Sequence, residues 1–365
     1  MRIYFYSLPL AGRGGMETVL KQVVSEMRNM GHDVTTILMQ PPHSDRSWRN
    51  ELGSVVYAER RAHGIGGRFE GENGIISAIL DLQDVLRELP CPDVLVAMAP
   101  WAVAIARAAM GVFQTKSVRL VSWIHNSLHV YSERNLIAYA DAHLAISTGI
   151  LEQVKQLDPS KPVKLVYNPV KTSSVNVIAR AATPTFIYVG RLDLAQKRLD
   201  VLFNALSRLR HHEWKLKVIG DVVVESADTR AAIENLVDGL KIKDRIEWFG
   251  WRTDPWAVVS EATALLLTSD WEGFALVLVE ALARGVPVVS TNCFSGPADI
   301  VVPGVNGWLT EPGNAEQLAG VLEGILNGST KLPNSQACID SAAKFDHTLV
   351  VEEIVSALFH YKMHL

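Results

Sequence analysis

The sequence predicts an α/β protein with two domains in series, each built on a mostly parallel sheet with helices on both faces. Short apolar runs alternate with segments whose apolar residues recur at helical spacing, and the alternation restarts after residue 184. The length of 365 residues suits two domains. Hydrophobic residues make up 48% of the chain and charged residues 20%, which provides enough apolar material for two cores and excludes a disordered chain.

Five strands are predicted in the first half. Arg2–Ser7 is followed by a helix whose apolar spacing ends near Gly31, the position of a C-cap glycine. The other four strands are Val34–Met39, Val94–Met98, Leu120–Ile124 and His143–Ile146. The most apolar stretch, residues 94–113, is interrupted by Pro100 and Arg107, so it predicts a buried strand and a helix rather than a membrane span.

The second half repeats the pattern after residues 171–184, whose composition is typical of a linker. Its predicted strands are Thr185–Val189, Leu216–Ile219, Arg245–Phe249, Ala264–Thr268 and Val286–Ser290. We therefore expect an N-terminal domain over 1–170 and a C-terminal domain over 185–345, with the ligand site at the C-terminal ends of the strands. A last helix within 346–365, centred on residues 348–361, is expected to pack back towards the N-terminal domain.

Charge and cysteine content narrow the class of protein. Lys and Arg total 35 and Asp and Glu total 39, for a net charge of -4, so a globally basic nucleic-acid-binding protein is not expected. Cys91, Cys293 and Cys338 are far apart and form no CxxC pair, which favours a reducing cytoplasm over a disulfide framework. The first ten residues contain too short an apolar run for a signal peptide. We therefore expect a cytoplasmic protein.

Two motifs in the second half point to a phosphorylated ligand. Glu272 and Glu280 are eight positions apart in a strand–Gly–helix setting, where the backbone amides near 274–277 suit an anion and Glu280 can accept hydrogen bonds from a ribose diol. Earlier in the chain, Arg191 ends a predicted strand and Lys197 follows six residues later, so the two cations can neutralise a diphosphate. Each motif alone also fits an ordinary helix start or solvated surface cations.

These two motifs, in this order and at this spacing, resemble the retaining GT-B glycosyltransferases of family 4. The resemblance spans nearly the whole chain, and the other matching segments are Gly14–Glu17, Trp123–Asn126, Tyr167–Pro169, Ser295–Asp299 and Gly304–Gly307. It implies two Rossmann-like domains that face each other across a cleft, with the acceptor bound by the first and the nucleotide sugar by the second. Within the family, several segments are most similar to galactosyltransferases of the lipopolysaccharide core.

The resemblance also implies roles for individual residues. Arg191 and Lys197 would hold the donor diphosphate, Glu280 the ribose and Glu272 the transferred sugar, and His125 would bind the donor sugar near its anomeric carbon. The residues expected to act in catalysis are His125, Arg191, Lys197 and Glu272. Those expected to bind the donor are Gly14, Gly15, Arg191, Lys197, Gly273, Phe274, Ala275, Leu276 and Glu280. Those expected to bind the acceptor are Glu17 and Asn126. Without the resemblance, a lone histidine beside a buried strand and a glutamate at a helix start have structural explanations.

The sequence departs from the family in one loop. The family often has Gly-Asp-Gly where this chain has Gly220-Asp221-Val222, so contacts to the base are unsettled there; Gly250-Trp251-Arg252 is the other candidate region. No Asp-x-Asp motif and no His/Cys cluster with zinc spacing occurs. The resemblance accordingly implies that no metal or other cofactor takes part.

The reaction implied is the transfer of a hexose, galactose in particular, from a UDP-sugar to a lipid-anchored oligosaccharide such as the lipopolysaccharide core, with retention at the anomeric carbon. A family member that uses UDP-glucose or a UDP-N-acetylhexosamine for O-antigen, capsule or exopolysaccharide assembly is an alternative. So is a UDP-sugar epimerase of similar two-lobe fold. Peripheral contact with the cytoplasmic face of the inner membrane is expected, through a basic face that meets anionic lipid. A basic face that is exposed only to solvent is an equally good explanation of the same residues. Its residues are Arg46, Arg49, Arg60, Arg61 and Arg68.

Overall fold

The computed structural model describes residues 1–10, 14–41, 52–59, 71–113, 117–222 and 227–364. Its contacts divide the chain into two compact units. The first contains Met1–Val170 together with His347–Leu365, and the second contains Lys171–Asp346. The five arginines of the expected basic face lie outside the described residues, as do residues 11–13 before the first helix.

The first unit is a seven-stranded parallel sheet with the strand order β3-β2-β1-β4-β5-β6-β7. The strands are β1 Arg2–Ser7, β2 Asp33–Leu38, β3 Val55–Tyr57, β4 Val94–Ala97, β5 Arg119–Trp123, β6 Ala142–Ala145 and β7 Val163–Leu165. The helices are α1 Gly15–Asn29, α2 Gly71–Glu88, α3 Pro100–Ala109, α4 Thr148–Leu157 and α11 His347–His364. The apolar residues of α1 from Val19 to Met27 are buried, and Gly31 has a φ of 83°, so the predicted stop of this helix is confirmed.

The second unit is a six-stranded sheet with the strand order β11-β10-β9-β13-β14-β15, again parallel. Its strands are β9 Thr185–Val189, β10 Lys215–Ile219, β11 Ile246–Gly250, β13 Ala264–Leu267, β14 Val288–Thr291 and β15 Gly307–Thr310. A separate two-stranded sheet pairs β8 Ala179–Arg180 with β12 Glu261–Ala262. The helices are α5 Leu199–Arg208, α6 Ala227–Gly239, α7 Leu276–Ala283, α8 Pro297–Ile300, α9 Ala315–Leu326 and α10 Ser335–Ala342.

The ten predicted strands are all present, with ends that move by one or two residues. Five strands were not predicted. In β3, β7 and β15 most side chains are only half-buried or exposed, so these short strands show no continuous apolar run. The other two, β8 and β12, have two residues each. The segment 171–184 is not purely irregular, since β8 lies in it. The stretch 94–113 is a strand and a helix as predicted. Among the described helices, none is both long and apolar enough to cross a lipid bilayer.

Candidate functional site

Three loops of the second unit meet at one edge of its sheet. They follow β9, β13 and β14, which are neighbours in the strand order. Because the strands are parallel, their C-terminal ends lie at the same edge, where α/β proteins bind ligands. The loops carry Arg191 and Lys197 after β9, Glu272 after β13, and Ser295 after β14. The structure therefore brings the two sequence motifs of this unit together.

Lys197 and Glu272 form a mostly buried ion pair. The Lys197 Nζ lies 2.6 Å from Glu272 Oε1, and the two side chains are only 14% and 9% exposed. The Ser269 hydroxyl donates to the same carboxylate oxygen at 2.6 Å. The Ser295 hydroxyl donates to the Glu272 backbone carbonyl. Glu272 is thus held at both its backbone and one carboxylate oxygen, which gives its side chain a fixed position at the strand ends.

Arg191 differs from Lys197 in having a neutral partner. Its Nη2 donates to Gln196 Oε1 at 2.7 Å, and the buried Gln196 in turn donates from Nε2 to the Trp271 backbone carbonyl at 3.0 Å. No carboxylate pairs with Arg191 within the part of the chain that the structure describes. The exposed guanidinium therefore keeps its positive charge uncompensated, which suits it to an anionic ligand.

A left-handed residue and a tight approach between two glycines shape the backbone of these loops. Arg198 adopts a left-handed conformation, with a φ of 49°, and its guanidinium pairs with Asp270 at 2.8 Å and with Asp200 at 3.0 Å. At the end of β10, a Cβ on Gly220 would stand 1.8 Å from the Gly190 carbonyl oxygen, so only glycine fits where these two loops approach each other. The turn that presents Arg191 is consequently fixed by side chains and packing that the sequence motifs did not reveal.

The helix that follows Glu272 begins at Leu276, after Ala275 in a left-handed conformation with a φ of 72°. The predicted run of amides at 274–277 therefore straddles the last loop residues and the first turn of α7, where backbone N–H groups lack helical partners. Phe274 is buried and packs edge-on against Phe345, with ring centroids 5.2 Å apart. This packing holds the backbone that leads into the helix, whose free amides are of the kind that can bind an anion.

Glu280 lies one further turn into α7 and is half-buried. Its Oε2 accepts a hydrogen bond from the Trp256 indole N–H at 3.0 Å. Burial raises the pKa of the Glu280 carboxyl, while the indole hydrogen bond and the charge of Arg284 act in the opposite direction. Sequence reasoning found Glu280 but missed Trp256, which is far from it along the chain and belongs to no motif.

The first unit carries its predicted site residues at the C-terminal ends of β1 and β5. Gly14 caps α1 with no side-chain capping bond, and the buried Glu17 carboxylate folds back so that its Oε2 would be 2.4 Å from a Cβ at Gly14. A side chain at Gly14 therefore requires the Glu17 carboxylate to move. Asn126 Oδ1 accepts from the Ser127 backbone N–H at 2.9 Å, which orders the loop after β5.

His125, in the same loop, differs from Asn126 in its hydrogen bonding. Both of its ring nitrogens are inaccessible to solvent, and neither has a hydrogen-bond partner among the described residues. The ring lies edge-on to Trp123, with centroids 4.2 Å apart. Burial lowers the pKa of His125 to about 3, so the ring is neutral near pH 7. An unsatisfied buried imidazole costs free energy, and polar groups left in this state are concentrated at functional sites.

The two candidate base regions differ in their local contacts. In the first, the Asp221 side chain accepts from the Val222 backbone N–H at 2.7 Å and pairs with Arg230, so it stabilises its own loop. In the second, Gly250 has a φ of 66° and Trp251 is partly exposed.

One group with metal-ligand spacing occurs within the described ranges, and the sequence search missed it. His211 and His212 precede β10, and their Nε2 atoms lie 3.4 Å and 3.9 Å from Glu323 Oε1 in α9. Local spacing could not reveal a set whose third member comes from a distant helix. These residues precede a strand rather than follow one, so they stand at the opposite edge of the sheet from Arg191 and Glu272 and take no part in that site.

Comparison with known proteins identifies the family. Residues 13–174 match the family described as Glycosyltransferase Family 4, and residues 173–345 match Glycosyl transferases group 1. The lipopolysaccharide 1,6-galactosyltransferase of Salmonella typhimurium is 34% identical over 339 residues, which cover 91% of both chains. The chain belongs to glycosyltransferase family 4. The corresponding enzyme of Escherichia coli is 32% identical over 92% of both chains.

Two solved structures are similar to this chain over nearly its whole length. The apo form of the lipopolysaccharide outer core galactosyltransferase WaaB matches this chain with a TM-score of 0.82 and 31% identity, covering 98% of this chain and 99% of that one. Anabaena HepE in complex with UDP matches with a TM-score of 0.80 but only 19% identity, so it shows the fold alone. This family 4 chain therefore has the GT-B fold and is a hexosyltransferase, as the sequence predicted. The epimerase alternative loses its support.

Proposed function

We propose that this chain transfers galactose from UDP-galactose to a lipopolysaccharide core oligosaccharide, with retention at the anomeric carbon and without a metal ion. The identity of 34% to a lipopolysaccharide 1,6-galactosyltransferase over 91% of both chains supports the sugar and the acceptor. The uncompensated cation Arg191 beside the Lys197–Glu272 pair carries the proposal for the site, because a diphosphate is the part of the donor that needs positive charge.

Arg191 and Lys197 contribute to donor binding in different ways. Arg191 offers its guanidinium to the diphosphate at no cost in ion pairing, because its partner Gln196 is neutral. Lys197 reaches a phosphate oxygen while it shares its charge with Glu272, and the amides at the start of α7 add fixed dipoles. Preorganised donors of this kind stabilise a leaving group without reorganisation during the reaction. They perform the charge neutralisation that a divalent cation performs in other sugar-nucleotide enzymes.

Glu272 contacts the transferred sugar through the carboxylate oxygen that Lys197 and Ser269 do not use. Both of those donors bind Oε1, so Oε2 remains to accept a hydrogen bond from a sugar hydroxyl. The fixed position of this carboxylate orients the hexose relative to the diphosphate, and orientation of the reacting bond is a large part of catalysis in transfer reactions.

His125 acts as a neutral hydrogen-bonding group in this proposal. Its pKa of about 3 makes it unsuited to delivering a proton at pH 7, whereas its unsatisfied ring nitrogens can bind a hydroxyl of the donor sugar. The departing phosphate then takes the proton of the attacking acceptor hydroxyl on the same face of the sugar. The glycosidic bond to UDP breaks as the new bond forms, so the anomeric configuration is retained.

A donor panel with a defined acceptor tests the proposal. UDP-galactose, UDP-glucose and UDP-N-acetylglucosamine are each incubated in EDTA with lipopolysaccharide core from a Salmonella strain that lacks its 1,6-galactosyltransferase, and the product is analysed by mass spectrometry and NMR. We expect transfer from UDP-galactose, an α-linked product, and an unchanged rate in EDTA. Preference for another donor supports the alternative family 4 assignments. Interconversion of the UDP-sugars without acceptor supports an epimerase. Loss of activity in EDTA contradicts the metal-free mechanism.

Peripheral membrane contact is part of the same proposal, because a lipopolysaccharide acceptor is anchored by its lipid. Anionic lipid attracts clustered basic residues within a Debye length of the surface. Sedimentation with vesicles that contain phosphatidylglycerol, compared with neutral phosphatidylcholine vesicles, measures this contact. We expect the chain to pellet with anionic vesicles at low salt and to be released as salt is raised. Absence from both pellets contradicts the proposed contact and leaves the transfer reaction unaffected.

A further inference from the structure

Trp256 is the one residue of the described chain whose side chain donates a hydrogen bond to the half-buried Glu280 carboxylate. Its indole N–H lies 3.0 Å from Oε2, and the ring itself is 8% exposed. Oε1 of the same carboxylate has no hydrogen bond from the described residues. A half-buried carboxylate with a single protein donor still has an oxygen free to accept, so a ligand that supplies hydroxyl donors can bind it.

The indole is itself held from two sides. It lies on a short 3₁₀ turn, Pro255–Val258, which Asp254 caps by accepting from the Trp256 backbone N–H at 3.0 Å. The Arg284 guanidinium covers the ring with 4.6 Å from its carbon to the ring centroid, and its Nη1 donates to the Glu280 backbone carbonyl at 2.9 Å. Arg284 is anchored one turn beyond Glu280, so the cation, the indole and the carboxylate form one packed unit.

We propose that Trp256 is a positioning residue for Glu280: its indole N–H fixes Oε2 and directs Oε1 to the hydroxyl groups of the donor's ribose. This inference rests on the proposed role of Glu280 in donor binding. The arrangement favours a ribonucleotide, because a ribose can give the carboxylate hydrogen bonds that a 2′-deoxyribose cannot. A site built to accept hydrogen bonds from a ligand hydroxyl discriminates against a ligand that lacks that donor.

Substitution of Trp256 by Phe isolates the hydrogen bond. Phenylalanine keeps an aromatic face for Arg284 and most of the buried surface, but it has no N–H to donate. Trp214 offers a matched control in the same unit: its indole N–H donates to the Leu209 carbonyl at 3.0 Å, and Arg245 covers its ring at 5.0 Å. Trp214→Phe therefore removes the same kind of contact at the other edge of the sheet. Trp256→His restores a ring N–H and serves as a rescue variant.

Calorimetric titration of the whole chain with UDP and with 2′-deoxy-UDP measures the effect. We expect Trp256→Phe to weaken UDP binding about tenfold and 2′-deoxy-UDP binding much less. A misplaced Glu280 weakens its hydrogen bond with the 2′-hydroxyl, and only UDP has that hydroxyl. The ratio of the UDP affinity to the 2′-deoxy-UDP affinity then falls towards one. Trp214→Phe should leave both affinities unchanged, and Trp256→His should recover part of the discrimination. In a Glu280→Gln background, Trp256→Phe should cause no further loss.

The pH dependence of UDP binding gives a second readout. Burial and the Asp254 charge raise the pKa of Glu280, and the indole N–H and Arg284 lower it. Removing the indole donor therefore raises that pKa further, and the acid-side loss of UDP affinity should move to higher pH in Trp256→Phe. A purely structural role for the tryptophan would leave this titration where it is in the wild type.

Three results overturn the inference. If Glu280→Gln weakens UDP binding while Trp256→Phe keeps wild-type discrimination and pH dependence, Trp256 does not position the carboxylate, although the donor assignment of Glu280 stands. If Trp256→Phe weakens both ligands equally, its role is packing alone. If Glu280→Gln alters neither UDP affinity nor discrimination, the proposed donor role of Glu280 fails, and the inference fails with it.

Discussion

Lys197→Ala should destabilise the second unit as well as abolish transfer. The substitution leaves the Glu272 carboxylate buried without its cation, since the Lys197 ammonium is its one ionic partner among the described residues and Ser269 supplies only a neutral donor. A variant that breaks a buried ion pair from one side is destabilised more than one in which both charges are removed.

The magnitude follows from the burial of the pair. Removing one partner of a fully buried pair costs about 3–5 kcal/mol, and exposures of 14% and 9% place this pair near the lower end, at about 3 kcal/mol. For a folding unit of this size, about 3 kcal/mol corresponds to a fall of roughly 6–12 °C in Tm. Lys197→Ala/Glu272→Gln replaces the stranded carboxylate with a neutral amide, so it should recover most of that loss while transfer remains absent.

Thermal unfolding followed by circular dichroism at pH 7.5 measures the three proteins, and UDP titration measures their donor binding. The expected order of Tm is wild type, then the double variant, then Lys197→Ala. Equal Tm values for Lys197→Ala and the wild type would show that the pair is absent in solution. A double variant less stable than Lys197→Ala would refute the argument that the buried charge is the source of the loss.

Three further substitutions test other parts of the site. Arg191→Met should weaken UDP binding by roughly 10- to 100-fold with an unchanged Tm, because an exposed cation with a neutral partner contributes to the ligand and little to the fold; a lower Tm would contradict this. His125→Phe should raise Tm at pH 7 and abolish transfer. The wild type should lose about 1 kcal/mol of stability between pH 7 and pH 5.5, because the unfolded histidine takes up a proton below pH 6.5 and the folded one only near pH 3. This loss should be absent in His125→Phe, and an unchanged pH profile of stability would contradict the prediction. Gly220→Ala should destabilise the second unit by about 3 kcal/mol through its clash with the Gly190 carbonyl, whereas Gly239→Ala, which meets nothing within 4 Å, should be tolerated.

Much of the fold follows from local pattern. The α1 helix, from its buried apolar stripe to Gly31, and the strand Thr185–Val189 were predictable because a repeating apolar face and a glycine stop are written in adjacent residues. The strands β3, β7 and β15 were not, because most of their side chains are half-buried or exposed and their pairing depends on neighbours elsewhere in the chain.

The candidate site was predictable in its motifs and not in its contacts. The glutamates and cations stand out because each follows a strand, but the bond from Lys197 to Glu272 joins residues 75 positions apart and depends on the left-handed turn at Arg198. Trp256, Gln196 and Ser269 hold the motif residues without belonging to any motif. Such contacts come from tertiary packing, so sequence spacing alone could not give them.

The measurement that tests the donor site most directly is a crystal structure of the chain with UDP bound in the presence of EDTA. We predict diphosphate oxygens within about 2.7–3.2 Å of the Arg191 guanidinium and the Lys197 ammonium, with the ribose hydroxyls on Glu280 Oε1. UDP bound away from the strand ends of the second unit would contradict the proposed site. A failure of UDP to bind until a divalent cation is added would contradict the metal-free mechanism.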